Sequence, residues 1–469
     1  MKSFFFAVVF IYFSIPIWAN GTQVQVQKSE DGFKLLVDGK DFLIKGMNWE
    51  YYPIGTNYTY SLWEQPEAFI KAVLEKEMTL LKDMGVNALR IYLDMPKKWI
   101  TYIYENYGIY TMLNHTFGRY GLTIDNEWMA NTEYDNPKVK ELLLRETTQL
   151  AREYKNTPGL LFFLLGNENN YHIFWEDKEK DKTVRRKENT SLENRGMYKI
   201  FLLSKEKNRD PRANEGRKDS PDFDLEVLKR AEAMYSLFNE AAIAMKSIDS
   251  SRPIVLCNGG IAFIETIEKK CPDVDIFGTN MYRGTSFGDT FQRVAENLDK
   301  PLLFTEFGAD AYNAIEQRED PESQAYYLLS IWKEIYANTA GIGGAKNTIG
   351  GFTFQFSDGW WKVSQTENLD VHDTDATWNN PGYHRDDDNG ANNMNEEWFG
   401  ICAKMPLDDE YRYELILRTA YFLLKEVHKF SPYDSGTTLV QLENYFKNIN
   451  LNEAVELSKA YAKSIEKFK

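Results

Sequence analysis

The chain has 469 residues, with 70 acidic against 55 basic side chains for a net charge of −15, and it is 43% apolar with 29 Phe, 28 Tyr and 11 Trp. An acidic balance without a basic cluster along a helix argues against a nucleic-acid partner, and this much apolar and aromatic surface excludes a mainly disordered chain. Its three cysteines make no disulfide framework and lack the spacing of a zinc site.

At the amino end, Lys2 precedes an apolar stretch over residues 4–13, followed by Ser14, Pro16 and Ala19. A basic start, a short apolar core and a small residue at the cut point predict a secretory signal peptide over residues 1–19. The run is shorter than the ~18 residues that a membrane span needs, so the expected location is secreted or periplasmic. Export permits a disulfide; Cys257 and Cys271 are near enough in sequence to pair, and three buried free thiols fit equally well.

Residues 33–37 and 42–44 flank Asp38-Gly39, which predicts an N-terminal β-hairpin. Eight apolar segments then read as strands, over 44–49, 88–93, 109–113, 160–165, 254–256, 276–281, 302–305 and 352–356. Between them lie helical periods such as 69–84 and 225–248. Short, continuously apolar strands separated by helices predict a parallel sheet buried on both faces, and eight such units predict an α/β fold of the (β/α)8 TIM-barrel type over residues 20–430. Two stretches exceed a minimal barrel: a charged insertion at 176–222 and a long loop at 357–400 rich in Trp, Asn, Asp and Gly. Residues 431–469 read as a helical tail.

Two glutamates end strands. Six apolar residues, 160–165, run into Gly166-Asn167-Glu168-Asn169, and Pro301-Leu302-Leu303-Phe304-Thr305 runs into Glu306-Phe307-Gly308. Barrel active sites assemble at the carboxyl ends of the strands, so carboxylates from the fourth and seventh strands would converge across the mouth. One carboxyl that protonates a leaving oxygen and another that attacks or activates water are the equipment of a glycosidase. Taken singly, either glutamate could equally cap a helix or pair with a base.

The Asn-Glu after strand four and the Glu after strand seven resemble clan A glycoside hydrolases, over roughly residues 33–422. Gly46-Met47-Asn48, Asn87-Ala88-Leu89-Arg90, Gly166-Asn167-Glu168 and Gly350-Gly351-Phe352 are similar to phrases of the family 2 catalytic barrel. The chain is also similar to the family 72 glucanosyltransferases, which carry comparable Gly-Asn-Glu and Glu-(aromatic)-Gly sequences. The resemblance implies Glu168 as acid/base and Glu306 as nucleophile of a retaining hydrolase acting on β-glycosidic bonds of an oligo- or polysaccharide. It further implies that Asn167 donates to the sugar 2-hydroxyl, that Arg90 lies beneath the nucleophile and keeps it ionised, and that Tyr282 hydrogen-bonds it. On their own, Arg90 and Tyr282 would read as a buried ion pair and a core aromatic.

Sugar C–H faces pack on flat rings. Clan A enzymes commonly place a tryptophan after strand eight, which points to Trp360 and then Trp361 in Asp358-Gly359-Trp360-Trp361. Asn48, Trp49, Tyr51 and Tyr52 follow strand one and are expected near the same mouth, with Trp175 and Trp378 as weaker candidates. His115 ends strand three and ranks low. The loop Arg385-Asp386-Asp387-Asp388-Asn389-Gly390 with Glu396 partly matches a calcium loop, but Arg385 occupies the first ligand position; it is read as a solvated loop, no metal is assigned, and the retaining mechanism needs no cofactor. Asn-x-Ser/Thr sequons occur at Asn20, Asn57, Asn114 and Asn189. A glycan at Asn114 would obstruct the mouth, which favours a bacterial source or an unoccupied site. The alternatives to hydrolysis are a transglycosylase built on the same carboxylates and a non-catalytic carbohydrate-binding barrel.

Overall fold

Eight short apolar segments close into a ring of parallel strands in the computed structural model, which describes residues 21–92, 95–174, 225–407 and 412–466. The strands are β1 (Ile44–Asn48), β2 (Ala88–Ile91), β3 (Tyr110–His115), β4 (Leu160–Leu165), β5 (Ile254–Gly259), β6 (Ile276–Asn280), β7 (Leu302–Phe307) and β8 (Thr348–Thr353). Neighbours in the ring follow chain order, and β8 pairs back onto β1. The expected signal peptide, the 176–222 insertion, Trp175 and the sequons at Asn20 and Asn189 lie outside the described residues.

Helices α1 (Glu67–Asp83), α2 (Lys97–Tyr107), α3 (Pro137–Tyr154), α4 (Leu225–Ile248), α5 (Ile264–Lys270), α6 (Thr290–Asn297) and α7 (Pro321–Ala337) each return the chain between strands. Local chemistry marks their starts. Asn136 and Asp320 cap α3 and α7 by accepting from Lys138 N and Ser323 N, with proline at the first helical position of each. Because helices cover the outside and side chains fill the inside, all six residues of β4 are buried. This explains why the strands read as unbroken apolar runs.

The lower barrel interior is apolar, with Ile44, Ala88, Met112, Phe162, Val255, Ile276, Leu303 and Ile349 in one cluster. Val24, Leu35 and Val37 join it from an antiparallel three-stranded sheet, Val24–Ser29, Gly32–Val37 and Lys40–Phe42. Its backbone bonds, Val24 N to Ser251 O and Phe33 N to Lys346 O, seat it just before β5 and β8. It therefore floors the barrel at the end opposite the mouth. The expected hairpin is present, turning at Asp38 and Gly39 with φ of 50° and 78°. Its first strand was not anticipated, although Val24-Gln25-Val26-Gln27 alternates with the period of a half-buried strand.

Strand eight starts four residues earlier than the expected 352–356 and ends three earlier, at Thr348–Thr353. Its two glycines conceal it. Gly350 sits at φ +113°, and a Cβ there would fall 2.1 Å from the Ile44 carbonyl oxygen of β1. The close approach that closes the barrel thus requires a residue with poor strand propensity.

The 357–400 loop folds back over the mouth and is pinned by a buried ion pair, Arg418 Nη1 to Asp358 Oδ1 at 2.6 Å. An antiparallel pair, Cys402–Pro406 with Tyr413–Leu417, leads into α8 (Thr419–Val427). The tail forms α9 (Leu439–Lys447) and α10 (Leu451–Glu466), whose Leu442, Phe446 and Ala454 belong to the same core as the barrel helices. All three cysteines are buried and free, so the Cys257–Cys271 pairing that export would permit is not formed. Among the described residues no helix is long and apolar enough to cross a membrane.

Candidate active site

Toward the carboxyl ends of the strands the interior turns polar. Alternation along β1, β2, β3, β5, β6 and β7 brings Asn48, Arg90, Asn114, Cys257, Asn280 and Thr305 into one buried layer. Arg90 is its hub and is fully buried. Its Nη1 donates to Asn280 Oδ1 and to the Thr305 carbonyl, both at 3.1 Å. Its Nη2 donates to Asn114 Oδ1 and Asn167 Oδ1, both at 2.9 Å. A guanidinium buried among amide oxygens keeps its charge because every lost water contact is replaced. Burial works against the cation, but Tyr92, Cys257 and Glu306 around it hold its pKa above the ordinary value.

Glu306 rests on this floor. A register shift between β6 and β7 at Thr279/Asn280 sets Asn280 opposite Glu306. Such irregularities re-aim side chains beside active sites: Thr305 Oγ1 donates inward to Asn280 Oδ1 at 2.7 Å while the Glu306 carboxylate stands above. Its Oε1 accepts from Arg90 Nη1 at 2.8 Å and Tyr92 OH at 2.7 Å; its Oε2 accepts from Tyr282 OH at 2.8 Å. Burial first, and then the Glu306 charge, push the Tyr282 hydroxyl well above its usual pKa. Burial does the same for Tyr92, against the pull of Arg90. Both phenols therefore stay protonated and act as donors. Burial pushes the Cys257 thiol up to about 11, so it is a neutral filler and not a nucleophile. With one oxygen held from one side and the other from the opposite side, the plane of the carboxylate is fixed.

Glu168 follows β4 with φ +60°, a left-handed conformation unusual for a residue bearing a Cβ. Its N–H donates to the Cys257 carbonyl at 3.1 Å, and its carbonyl accepts from Tyr171 N at 3.1 Å, so the turn is held from both sides. Its neighbour Asn167 is held more tightly still. Asn167 Oδ1 accepts from Arg90 and from Asn280 Nδ2, the latter at 2.9 Å, while its Nδ2 donates to Tyr120 OH at 2.8 Å. Arg119 Nε donates to the Asn167 carbonyl at 2.8 Å.

Of the residues singled out from sequence, Arg90, Tyr282, Asn167 and Asn48 thus meet around Glu306. Asn48 acts from below: its Oδ1 lies 2.6 Å from Tyr92 OH and shares that hydroxyl's one proton with Glu306, and its Nδ2 donates to the Thr305 and Phe352 carbonyls, both at 3.2 Å. The sequence reading missed Tyr92, Asn114, Asn280 and Tyr120 as parts of the site. Tyr92 was within reach, since it lies two residues beyond Arg90 and shares its face.

Four candidates lie elsewhere. Trp49 follows Asn48 and by alternation faces outward, where its Nε1 donates to Glu77 of α1 at 2.7 Å. Trp361 is buried edge-on against Tyr52 and Tyr58. Trp360 stacks on His372 at 4.7 Å, which in turn stacks on Trp398 at 3.6 Å. The His115 ring turns to Glu146 of α3 at 3.4 Å. Instead, with strand eight ending at Thr353, the ring that follows it is Phe354, in edge contact with Tyr282 at 6.2 Å, and Trp378 meets Tyr282 on another side, also at 6.2 Å.

Asn114 Nδ2 donates to the Gly166 carbonyl at 2.9 Å and is buried, a position no glycan can share. In the acidic loop, Arg385 lies over the Tyr326 ring at 4.0 Å and Asp386 accepts from Asn393 at 3.2 Å. Among the described residues no group of three or more His, Cys, Asp or Glu side chains is arranged to hold a metal.

Residues 25–183 match the family described as glycosyl hydrolases family 2, TIM barrel domain, a span that includes β1 to β4 and Glu168 but not Glu306. A beta-galactosidase of Lactococcus lactis is 24% identical over 139 residues, which are 29% of this chain and 12% of that protein. Among solved structures, a beta-galacturonidase of Eisenbergiella tayi is 15% identical with a TM-score of 0.49, covering 88% of this chain and 55% of that one. A beta-glucuronidase of Bacteroides uniformis is 13% identical with the same TM-score of 0.49, covering 86% and 37%. The chain therefore spans from about an eighth to about half of the length of these relatives. The resemblance read from the strand-end motifs, to a clan A glycoside hydrolase with a family 2 type of catalytic barrel, is borne out by the family match.

Proposed function

We propose that the protein is a retaining glycoside hydrolase that cleaves β-glycosidic bonds of an oligo- or polysaccharide by double displacement. The observation that carries this reading is the Glu306 carboxylate, held on both oxygens by a permanent cation and two phenols, with Glu168 on the far side of the same mouth. In the first step Glu306 attacks the anomeric carbon while Glu168 donates a proton to the departing oxygen. In the second, Glu168 takes a proton from water, which displaces Glu306 from the sugar. Arg90, Tyr92 and Tyr282 offset charge on Glu306 when it leaves again as a carboxylate. Asn167, locked by Arg90, Asn280 and Tyr120, presents its amide to the sugar's 2-hydroxyl.

The test is a panel of β-glycosides and polysaccharides on the wild type and on Glu306→Ala, with the anomer of the first product followed by NMR. Turnover lost in the variant and a β-anomer released first are expected; equal turnover by both proteins, or an inverted first product, removes the reading. Lengthened oligosaccharides among the products would shift it to transglycosylation. Export is part of the proposal, supported by the character of residues 1–19, and amino-terminal sequencing of the mature protein checks it.

A further inference from the structure

Between β3 and α3 the chain makes a small antiparallel hairpin, Leu122–Ile124 with Glu127–Met129, turning at Asp125 and Asn126. Strands run toward the mouth and helices away from it, so this hairpin and the start of α3 stand on the mouth face. Its root is part of the site: Arg119 donates to the Asn167 carbonyl, and Tyr120 OH accepts from the Asn167 amide. One residue on, Gly121 packs so tightly under the Trp128 ring that a Cβ there would fall 2.5 Å from Cζ2. Trp128 is thereby pressed against the loop whose Arg119 and Tyr120 hold Asn167. It is 41% exposed and is the only exposed aromatic among the described residues. Beside it lies an open hollow of about 560 Å³, lined by Ile124, Asp125, Glu127, Trp128, Met129 and Lys138, a size within the ~300–1,000 Å³ of ligand pockets.

We propose that this hairpin binds the leaving-group side of the substrate, with Trp128 as the platform for a neutral sugar residue beyond the scissile bond. This rests on the roles assigned to Glu168 and Glu306. The sugar being cleaved must sit over Glu306. The proton donor Glu168 must touch the bridging oxygen, so the departing sugar extends past Glu168, away from β7. The loop after β3 flanks β4 on that side, and it is the loop that touches Asn167. The chemistry of the hollow also selects. An indole face suits the C–H face of a pyranose, and the exposed carboxylates of Asp125 and Glu127 accept from hydroxyls. Lys138 already pairs with Asp125, which leaves the rim acidic and unfavourable to a uronate at this position.

The test compares Trp128→Ala and Trp128→Phe with the wild type on β-1,4-linked disaccharides of glucose, galactose and mannose and on the matching β-glycosyl fluorides. Fluoride as leaving group reaches no further than Glu168 and cannot touch the hairpin. Loss of an aromatic contact should lower kcat/KM on the cleaved disaccharide about fivefold in Trp128→Ala, mostly through KM, with partial recovery in Trp128→Phe and unchanged turnover of the fluoride. Equal kinetics of wild type and Trp128→Ala on the disaccharide, or equal losses on disaccharide and fluoride, would overturn the subsite. Absence of fluoride turnover by the wild type would instead remove the hydrolase reading, and the subsite with it. Since Trp128 is exposed, the variants should keep the wild-type far-UV circular dichroism.

Discussion

Replacing Glu306 by alanine leaves three donors aimed at the space its carboxylate occupied: Arg90 Nη1, Tyr92 OH and Tyr282 OH, now 2.7–2.8 Å from its oxygens. Without a nucleophile, kcat should fall by about 10⁴ or more. The same donors form an anion site in the variant. Charge-assisted hydrogen bonds contribute about 1.5 kcal/mol each at the low end. Three of them, less the cost of immobilising a small ion, leave roughly 4 kcal/mol, a dissociation constant of about 1 mM. Azide at tens of millimolar should therefore enter Glu306→Ala, attack the anomeric carbon from the nucleophile's side and give an α-glycosyl azide from a β-dinitrophenyl glycoside. In Glu168→Ala, by contrast, Glu306 still forms the intermediate, and azide replaces the deprotonated water to give a β-glycosyl azide. Rate recovery with azide and the product's anomeric coupling constant, read by NMR, are the assay. A β-azide from Glu306→Ala, or an α-azide from Glu168→Ala, would refute the assignment of roles.

Other consequences are open to direct measurement. Tyr282→Phe keeps the ring against Phe354, Trp378 and Phe399 but removes the hydroxyl that donates to Glu306 Oε2. It should lower kcat/KM by about tenfold or more with Tm within about 2 °C of wild type, and a large loss of Tm would show that the phenol is structural. Trp49→Phe takes one of two ring donors from the buried Glu77 carboxyl, leaving Tyr413 OH at 2.8 Å. Urea unfolding should report a loss of about 1–3 kcal/mol, with kcat/KM changed less than about twofold because the site is untouched. His372, stacked between Trp360 and Trp398, has its pKa lowered by burial from 6.5 to about 3. The unfolded chain therefore binds the proton first, and stability present above pH 6.5 is lost as pH falls toward 3. Substituting His372→Phe should flatten the decline in urea-derived unfolding free energy over that window by up to about 5 kcal/mol; an unchanged slope would place the acid sensitivity elsewhere.

Much of the architecture could be read along one dimension. A strand buried on both faces must be apolar throughout, so the runs that became β4 and β7 were visible, and a carboxylate that ends such a run must emerge at the mouth. Arg90 in Ala88-Leu89-Arg90-Ile91 read on its own only as half of a buried ion pair, because a buried guanidinium requires an anion and carbonyl partners; its place beneath Glu306 came from the family resemblance. Alternation alone would also have sent Trp49 outward once Asn48 was placed inside, and would have put Tyr92 beside Arg90.

What resisted reading depends on contacts between segments far apart in the chain. β8 was misplaced because Gly350 serves the approach to Ile44, a pairing across about 300 residues that local propensity does not express. That shift passed the place after the strand from Trp360 to Phe354. Whether a loop tryptophan faces sugar or core is set by the path of the 357–400 loop, itself pinned by the Arg418–Asp358 pair. The same holds for Trp128, which counted in sequence as one of many aromatics and acquires meaning only because its hairpin springs from residues that hold Asn167. Composition and periodicity determined the barrel and the two carboxylates, since burial on both faces constrains every residue of a strand. Tertiary structure alone decided which donors grip Glu306 and which rings line the mouth, since those contacts join residues that share no local pattern.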